Sequence, residues 1–151
     1  MALHFTAQEF KSRENKVIKS MQEKNLDALL LFRQESMYWL TGYDTFGYVF
    51  FQCLVFTSSG NKILLTRAPD LRQAQNTSNI KDIRIWIDHE DNNPVDKLKF
   101  ILRDLNLENK NLGIEYEAYG LTGRNALRLN KSLESFAILH DESLLISRHR
   151  L

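Results

Sequence analysis

Glu115 and Glu117 alternate in "GIEYE", a spacing that puts two carboxylates on one face of an extended segment. With Asp27, which precedes the run "ALLL", they could in principle hold two metals for nucleic-acid cleavage. Such an enzyme needs a basic surface. The net charge is +1, and apart from a terminal "SRHR" the cations are scattered. The three acids are therefore read as rim or solvent-facing groups. His89 in "DHED" and His140 in "HDES" resemble metal clusters, yet neither offers two ligands at helical or strand spacing with a third partner elsewhere. Asp141 or Ser143 reads better as a helix cap. Cys53, the single cysteine, sits in the apolar run "FFQCLVF" and reads as an inert buried thiol. No G-x-x-x-x-G-K-[ST] cradle occurs, and the Gly42 to Gly47 spacing lacks the lysine that would reach a phosphate. A G-x-S-x-G elbow is missing too. No residue is assigned a catalytic or metal-binding role, and the chain by itself does not read as a complete enzyme.

The residues do offer a surface. In "ESMYWLTGYDTFGYVFFQ", Glu35 to Gln52, aromatics crowd among polar residues and glycines; half of the sixteen aromatics fall between Tyr38 and Phe56. Tyr38, Trp39 and Leu40 are expected to seat a short helix on a sheet. Phe50, Leu54 and Phe56 are expected in the core, and Tyr43 to Tyr48 in an exposed wall. In "TRAPDLR", Arg67 and Arg72 could grip a carboxylate in bidentate fashion or pair with Asp70.

The elements that must position these groups follow from pattern and caps. Thr6 and Glu9 form a capping box, with Phe5 and Phe10 as a hydrophobic staple, so a helix starts at Ala7 and turns Phe10, Val17, Ile18 and Met21 inward. "DALLLF" reads as a strand covered on both faces. "ESMYWLTG" is a short helix ending at Gly42, and "YDTFG" a loop. Tyr48 to Phe56 reads as a strand, paired antiparallel through "TSSGN" with "KILLT". "APDLRQAQ" opens with a proline placed to start a helix, "KDIRIWID" alternates as a strand, and "EDNNP" is a loop. Asn93 and Pro94 start a helix with Val95, Leu98, Ile101, Leu102 and Leu105 on one face. "NLGIEY" is the next strand, Thr122 caps a helix with Ala126, Leu129 and Leu133 inward, and "SFAIL" closes as a strand. The sum is one α/β domain over 1–151, a mixed sheet flanked by helices. A chain of this length can bury about two thirds of its unfolded surface. No run approaches the ~20 apolar residues that span a bilayer, and the N-terminus lacks a signal pattern. The expectation is a cytoplasmic protein with neither membrane nor nucleic acid as partner.

In order along the chain, "NLDALLLF", "ESMYWLTGY", the hairpin ending in "ILLTR", "LGIEYEAYGLT" and "DESLLISRHR" resemble the N-terminal domain of the creatinase/prolidase family. That family includes proline dipeptidases, aminopeptidases cutting before proline, creatinase and ectoine hydrolase. The resemblance covers nearly the whole chain, and "YWLTGY" is its most specific motif. It implies a ribonuclease-H-like arrangement joined to a C-terminal "pita-bread" catalytic domain absent from this chain. That domain would hold two divalent metals (Mn, Co or Zn) on two aspartates, two glutamates and a histidine. The resemblance also implies a homodimer in which the N-terminal domain of one subunit helps to close the partner's site over a peptide substrate. Carried onto this sequence, it makes Tyr43, Asp44, Phe46 and Tyr48 substrate-facing, with Arg67 as a further candidate. The implied function is that of the non-catalytic domain of an Xaa-Pro peptidase. A stand-alone interaction module of this architecture and a creatinase- or ectoine-hydrolase-type amidohydrolase are the alternatives.

Overall fold

The first helix starts where its side chains say it should. In the computed structural model, which describes residues 3–90 and 92–151, the Glu9 N–H donates to the Thr6 hydroxyl at 3.1 Å and the Thr6 N–H to the Glu9 carboxylate at 2.7 Å. The Phe5 and Phe10 rings meet edge to face, 5.7 Å apart. From this start run α1 (Ala7–Glu23), β1 (Ala28–Leu31), α2 (Gln34–Thr41), β2 (Cys53–Thr57) and β3 (Lys62–Arg67). A short 3-10 turn, Ala68–Asp70, leads into α3 (Leu71–Thr77), and then follow β4 (Asp82–Trp86), α4 (Pro94–Asp104), β5 (Asn111–Ile114), α5 (Gly123–Leu133), β6 (Ile138–Asp141) and α6 (Leu145–Arg150). Asp91, part of "DHED" and "EDNNP", lies outside the described residues.

The strands form one mixed sheet in the order β4-β3-β2-β1-β5-β6. β2 is antiparallel to β1 and β3, and the other pairs are parallel, so β2 runs against the rest. This is the expected ribonuclease-H-like arrangement, a hairpin trio continued by parallel strands beyond β1, with β4 added outside β3. The apolar run of β1 serves both faces at once, because successive side chains point to opposite sides. Ala28 and Leu30 meet Val55, Leu98, Leu102, Leu129 and Leu133 under α4 and α5. Leu29 and Leu31 meet Val17, Met21, Met37, Phe56 and Ile146 under α1, α2 and α6.

Three expectations need correction. The strand expected from Tyr48 begins only at Cys53, because the chain turns at Gly47, whose carbonyl accepts the Phe50 N–H at 3.0 Å. Phe50, expected in the core, is consequently 39% exposed, and Phe51 packs edge to face against Phe32 and Trp86 in its place. Neither Asp141 nor Ser143 caps a helix: Asp141 accepts the Ser143 N–H and hydroxyl, and the Ser143 oxygen accepts the Tyr116 N–H at 3.1 Å. That chain of bonds ties the end of β6 to the loop after β5. Cys53 is buried, and burial pushes its thiol well above the ordinary range. Among the described residues no helix is long and apolar enough to cross a membrane.

Candidate functional site

β1, β3, β4, β5 and β6 all point the same way, so their carboxyl ends share one edge of the sheet, and α2 starts there. Arg33, the N-cap of α2, makes no side-chain cap. Glu115, one residue past β5, supplies it from across the strand pair. Its Oε1 accepts the N–H groups of Phe32 and Arg33, each at 3.1 Å, and its Oε2 accepts the Ser36 hydroxyl at 2.6 Å. Burial pushes this carboxyl up from 4.5 to about 7, against the downward pull of Ser36 and the two amides.

The expectation that Glu115, Glu117 and Asp27 are rim acids fails for Glu115, which is buried, and holds for Glu117, which is exposed. Asp27 sits at the other end of β1, where its carboxylate accepts the Asn111 N–H at 2.9 Å. A four-residue strand, ~13 Å at the usual rise, separates it from the carboxyl edge. The three acids do not converge. Among the described residues no three His, Cys, Asp or Glu side chains gather as a metal would require, and His140 faces Asn111 at 3.0 Å.

The aromatic loop hangs from the same edge. α2 ends at Gly42, whose φ of +85° favours glycine and where a Cβ would stand 2.7 Å from the Thr77 carbonyl oxygen. From here alternate residues point in and out: Tyr43, Thr45 and Gly47 are buried, Asp44, Phe46 and Tyr48 exposed. Tyr43 therefore does not belong to the exposed wall. Its hydroxyl donates to Gln52 Oε1 at 2.8 Å and lies 3.2 Å from the Thr66 hydroxyl, and burial pushes the phenol up to about 12. Gln34 Nε2 donates to the Tyr43 carbonyl at 2.8 Å, and Gln52 Nε2 to Gln34 Oε1 at 3.1 Å. Thr45 donates to Asp70 Oδ1 at 2.9 Å and accepts the Gly47 N–H at 3.0 Å. Of the two alternatives for Arg67, pairing with Asp70 is the one found: its Nε donates to Oδ2 at 3.1 Å, and its guanidinium lies 3.5 Å from the centre of the Phe50 ring. Arg72 is exposed on α3.

Each such bond is worth ~1 kcal/mol net, and a buried partner left unpaired costs ~1–3. The network therefore fixes the backbone from beneath while Phe46, at 88% exposed, and Tyr48, at 45%, stand in solvent. Beside them opens a cleft of about 530 Å³, walled by Arg33, Glu35, Tyr48, Glu117 and Tyr119. The Tyr48 and Tyr119 rings meet edge to face at 6.2 Å. What the site can do chemically is bind and orient. The crowding of aromatics among polar residues and glycines after Gly42 carried the signal for the wall; nothing local to "GIEYE" announced that Glu115 caps α2.

Known proteins share the fold. The profile of the Creatinase/Prolidase N-terminal domain matches residues 13–151. An uncharacterized hydrolase/peptidase of Sinorhizobium fredii is 28% identical over 96% of this chain and 38% of its own length. The ectoine hydrolase of Halomonas elongata is 29% identical over 79% of this chain and 32% of its own length. The chain thus spans about a third of the curated relatives it matches. A crystal structure of a proline dipeptidase from Streptococcus pneumoniae shares the fold, with a TM-score of 0.73 at 20% identity over 91% of this chain and 96% of that one. With nearly all of its residues inside that profile, the chain belongs to the creatinase/prolidase N-terminal domain family, a domain of prolidase/creatinase-type hydrolases.

Proposed function

We propose that this chain is the non-catalytic N-terminal domain of a metal-dependent Xaa-Pro peptidase, and that in a homodimer it closes the substrate site of the partner subunit. The observation that carries the reading is the exposure of Phe46 and Tyr48 on a loop held from below by Tyr43, Gln52 and Asp70. Aromatic faces exclude water and stack on a proline ring at small entropic cost, and Asp44 beside them can pair with a substrate's terminal amine. Such a wall raises a rate by positioning and breaks no bond itself. Arg67, committed to Asp70 and Phe50, stiffens the wall and is the weaker candidate for touching substrate. Among the described residues no donor set fits a metal pair; in this reading the two divalent metals (Mn, Co or Zn) belong to the catalytic domain.

Mixing two variants of the longer protein tests the reading. One carries Phe46→Ala with Tyr48→Ala; the other lacks a metal ligand of the catalytic domain. If each wall serves the other subunit's site, the inactive parents regain about a quarter of the wild-type activity when re-dimerised, because half the dimers then hold one intact site. Activity that stays at the mean of the parents would overturn it. The ectoine hydrolase relative favours a second reading, in which the same wall serves an amidohydrolase of the creatinase or ectoine-hydrolase type. A turnover panel of Xaa-Pro dipeptides against ectoine and creatine separates the two.

A further inference from the structure

We propose that the cleft between the first turn of α2 and the loop after β5 is a subsite for the cationic side chain of a peptide, arginine or lysine. Glu35 and Glu117 would pair with the cation against the rings of Tyr48 and Tyr119. That the ligand is a peptide rests on the function proposed above; that it is a cation rests on the cleft alone.

Position is the first argument. The chain leaves β1 through α2 towards β2 on one side and leaves β5 through α5 towards β6 on the other, so no crossover covers the gap at their carboxyl ends. Open α/β sheets bind ligands at such switch points. At about 530 Å³ the cleft has the size of a small-ligand site.

Charge is the second. Arg33, the one cation of the lining, is tethered: its Nη1 donates to the Ser147 hydroxyl at 3.0 Å, and the buried Glu115 lies close enough to feel its charge. Glu35 and Glu117 are exposed, and neither has a hydrogen-bond or ion-pair partner among the described residues. The cleft therefore offers two free carboxylates beside two aromatic faces. An aliphatic stem can lie on Ala118 and the tyrosine rings while its charged head reaches the acids. A ligand carboxylate would meet two like charges.

The test is a titration of the isotope-labelled 151-residue chain, followed by its amide resonances. N-acetyl-arginine amide is compared with the neutral, nearly isosteric citrulline compound and with the glutamate compound. The arginine probe is expected to shift the amides of Glu35, Tyr48, Glu117 and Tyr119 and to bind about tenfold more tightly than the citrulline probe. Glu35→Gln combined with Glu117→Gln should bring it down to the citrulline level. Equal binding of arginine and citrulline overturns the proposal, as does a lack of shifts at these amides. Tighter binding of the glutamate probe also overturns it and hands the cleft to Arg33. Cation binding without Xaa-Pro cleavage by the longer protein would sink the proposed function alone, whereas cleavage without cation binding would sink this inference alone.

Discussion

At Glu115, three donors meet one carboxylate that water does not reach: two backbone N–H groups at the start of α2 and the Ser36 hydroxyl. Arg33 helps to hold the ionised form, and the Glu115 charge in turn helps to push the Cys53 thiol up. Desolvation wins, leaving the group at about 7 when its ordinary value is 4.5. A carboxyl raised on folding contributes stability that is full below the unfolded value and lost as pH climbs through the folded one. The amount is ~3 kcal/mol across that window. Glu115→Gln keeps an oxygen for the two amides and places an NH₂ donor towards Ser36, but cannot titrate. Urea unfolding at pH 4.5 and pH 8 should therefore show the variant gaining on the wild type by ~3 kcal/mol at the higher pH. The same difference between the two proteins at both pH values would contradict the burial argument.

Between Gly42 and Cys53 the loop behaves as an element in its own right, with an inner and an outer row of side chains although no strand is present. Gly47 shows how tightly the inner row is set. A Cβ there would stand 2.6 Å from Asp70 Oδ2 and 2.8 Å from Oδ1, and that carboxylate is already gripped by Thr45 and Arg67. Gly47→Ala should cost ~1–3 kcal/mol and speed amide exchange at Phe50, whose N–H closes the turn onto Gly47. An unchanged urea midpoint with unchanged exchange would mean that Asp70 yields freely and that the wall is not held from below. The loop also marks where the sequence could and could not be read. The capping box of Thr6 and Glu9 and the caps Asn93 and Thr122 were legible because donor and acceptor lie two or three residues apart. The end of α2 at Gly42 was legible from the glycine itself, which takes the positive φ of +85° that ends the helix. The late start of β2 was not, since Gly47, where the chain turns, is packed against Asp70, more than twenty residues further on. Tyr43 was misplaced because its partners Gln52 and Thr66 lie just before β2 and on β3. Glu115 was misread because its donors belong to residues 32–36. α6 takes no cap from Asp141 or Ser143, the residues read as capping; it is held by burying Leu145 and Ile146 against the layer of α1 and α2.

For the molecule as a whole, one thin sheet serves two cores. β1 is four residues long and sends Leu29 and Leu31 to one face and Ala28 and Leu30 to the other, so neither core can lose its wall without exposing the other. The two tryptophans report on opposite sides. Trp86 is buried under α4 and α5, with its indole N–H on the Phe51 carbonyl at 3.0 Å. Trp39 packs on the other core, stacked on His149 of α6 and beneath the Arg13 guanidinium. If the sheet couples the cores, Trp39→Phe and Trp86→Phe, each leaving one reporter, should give fluorescence midpoints in urea that coincide with their own far-ultraviolet dichroism. Each variant is its own reference, so the stability lost with either indole does not enter the comparison. A Trp39 signal that melts before the backbone would mean that α1, α2 and α6 peel away as a unit. The start of α2 that carries Arg33 and Glu35 would then be mobile, and a preformed cleft at the carboxyl edge could not survive that result.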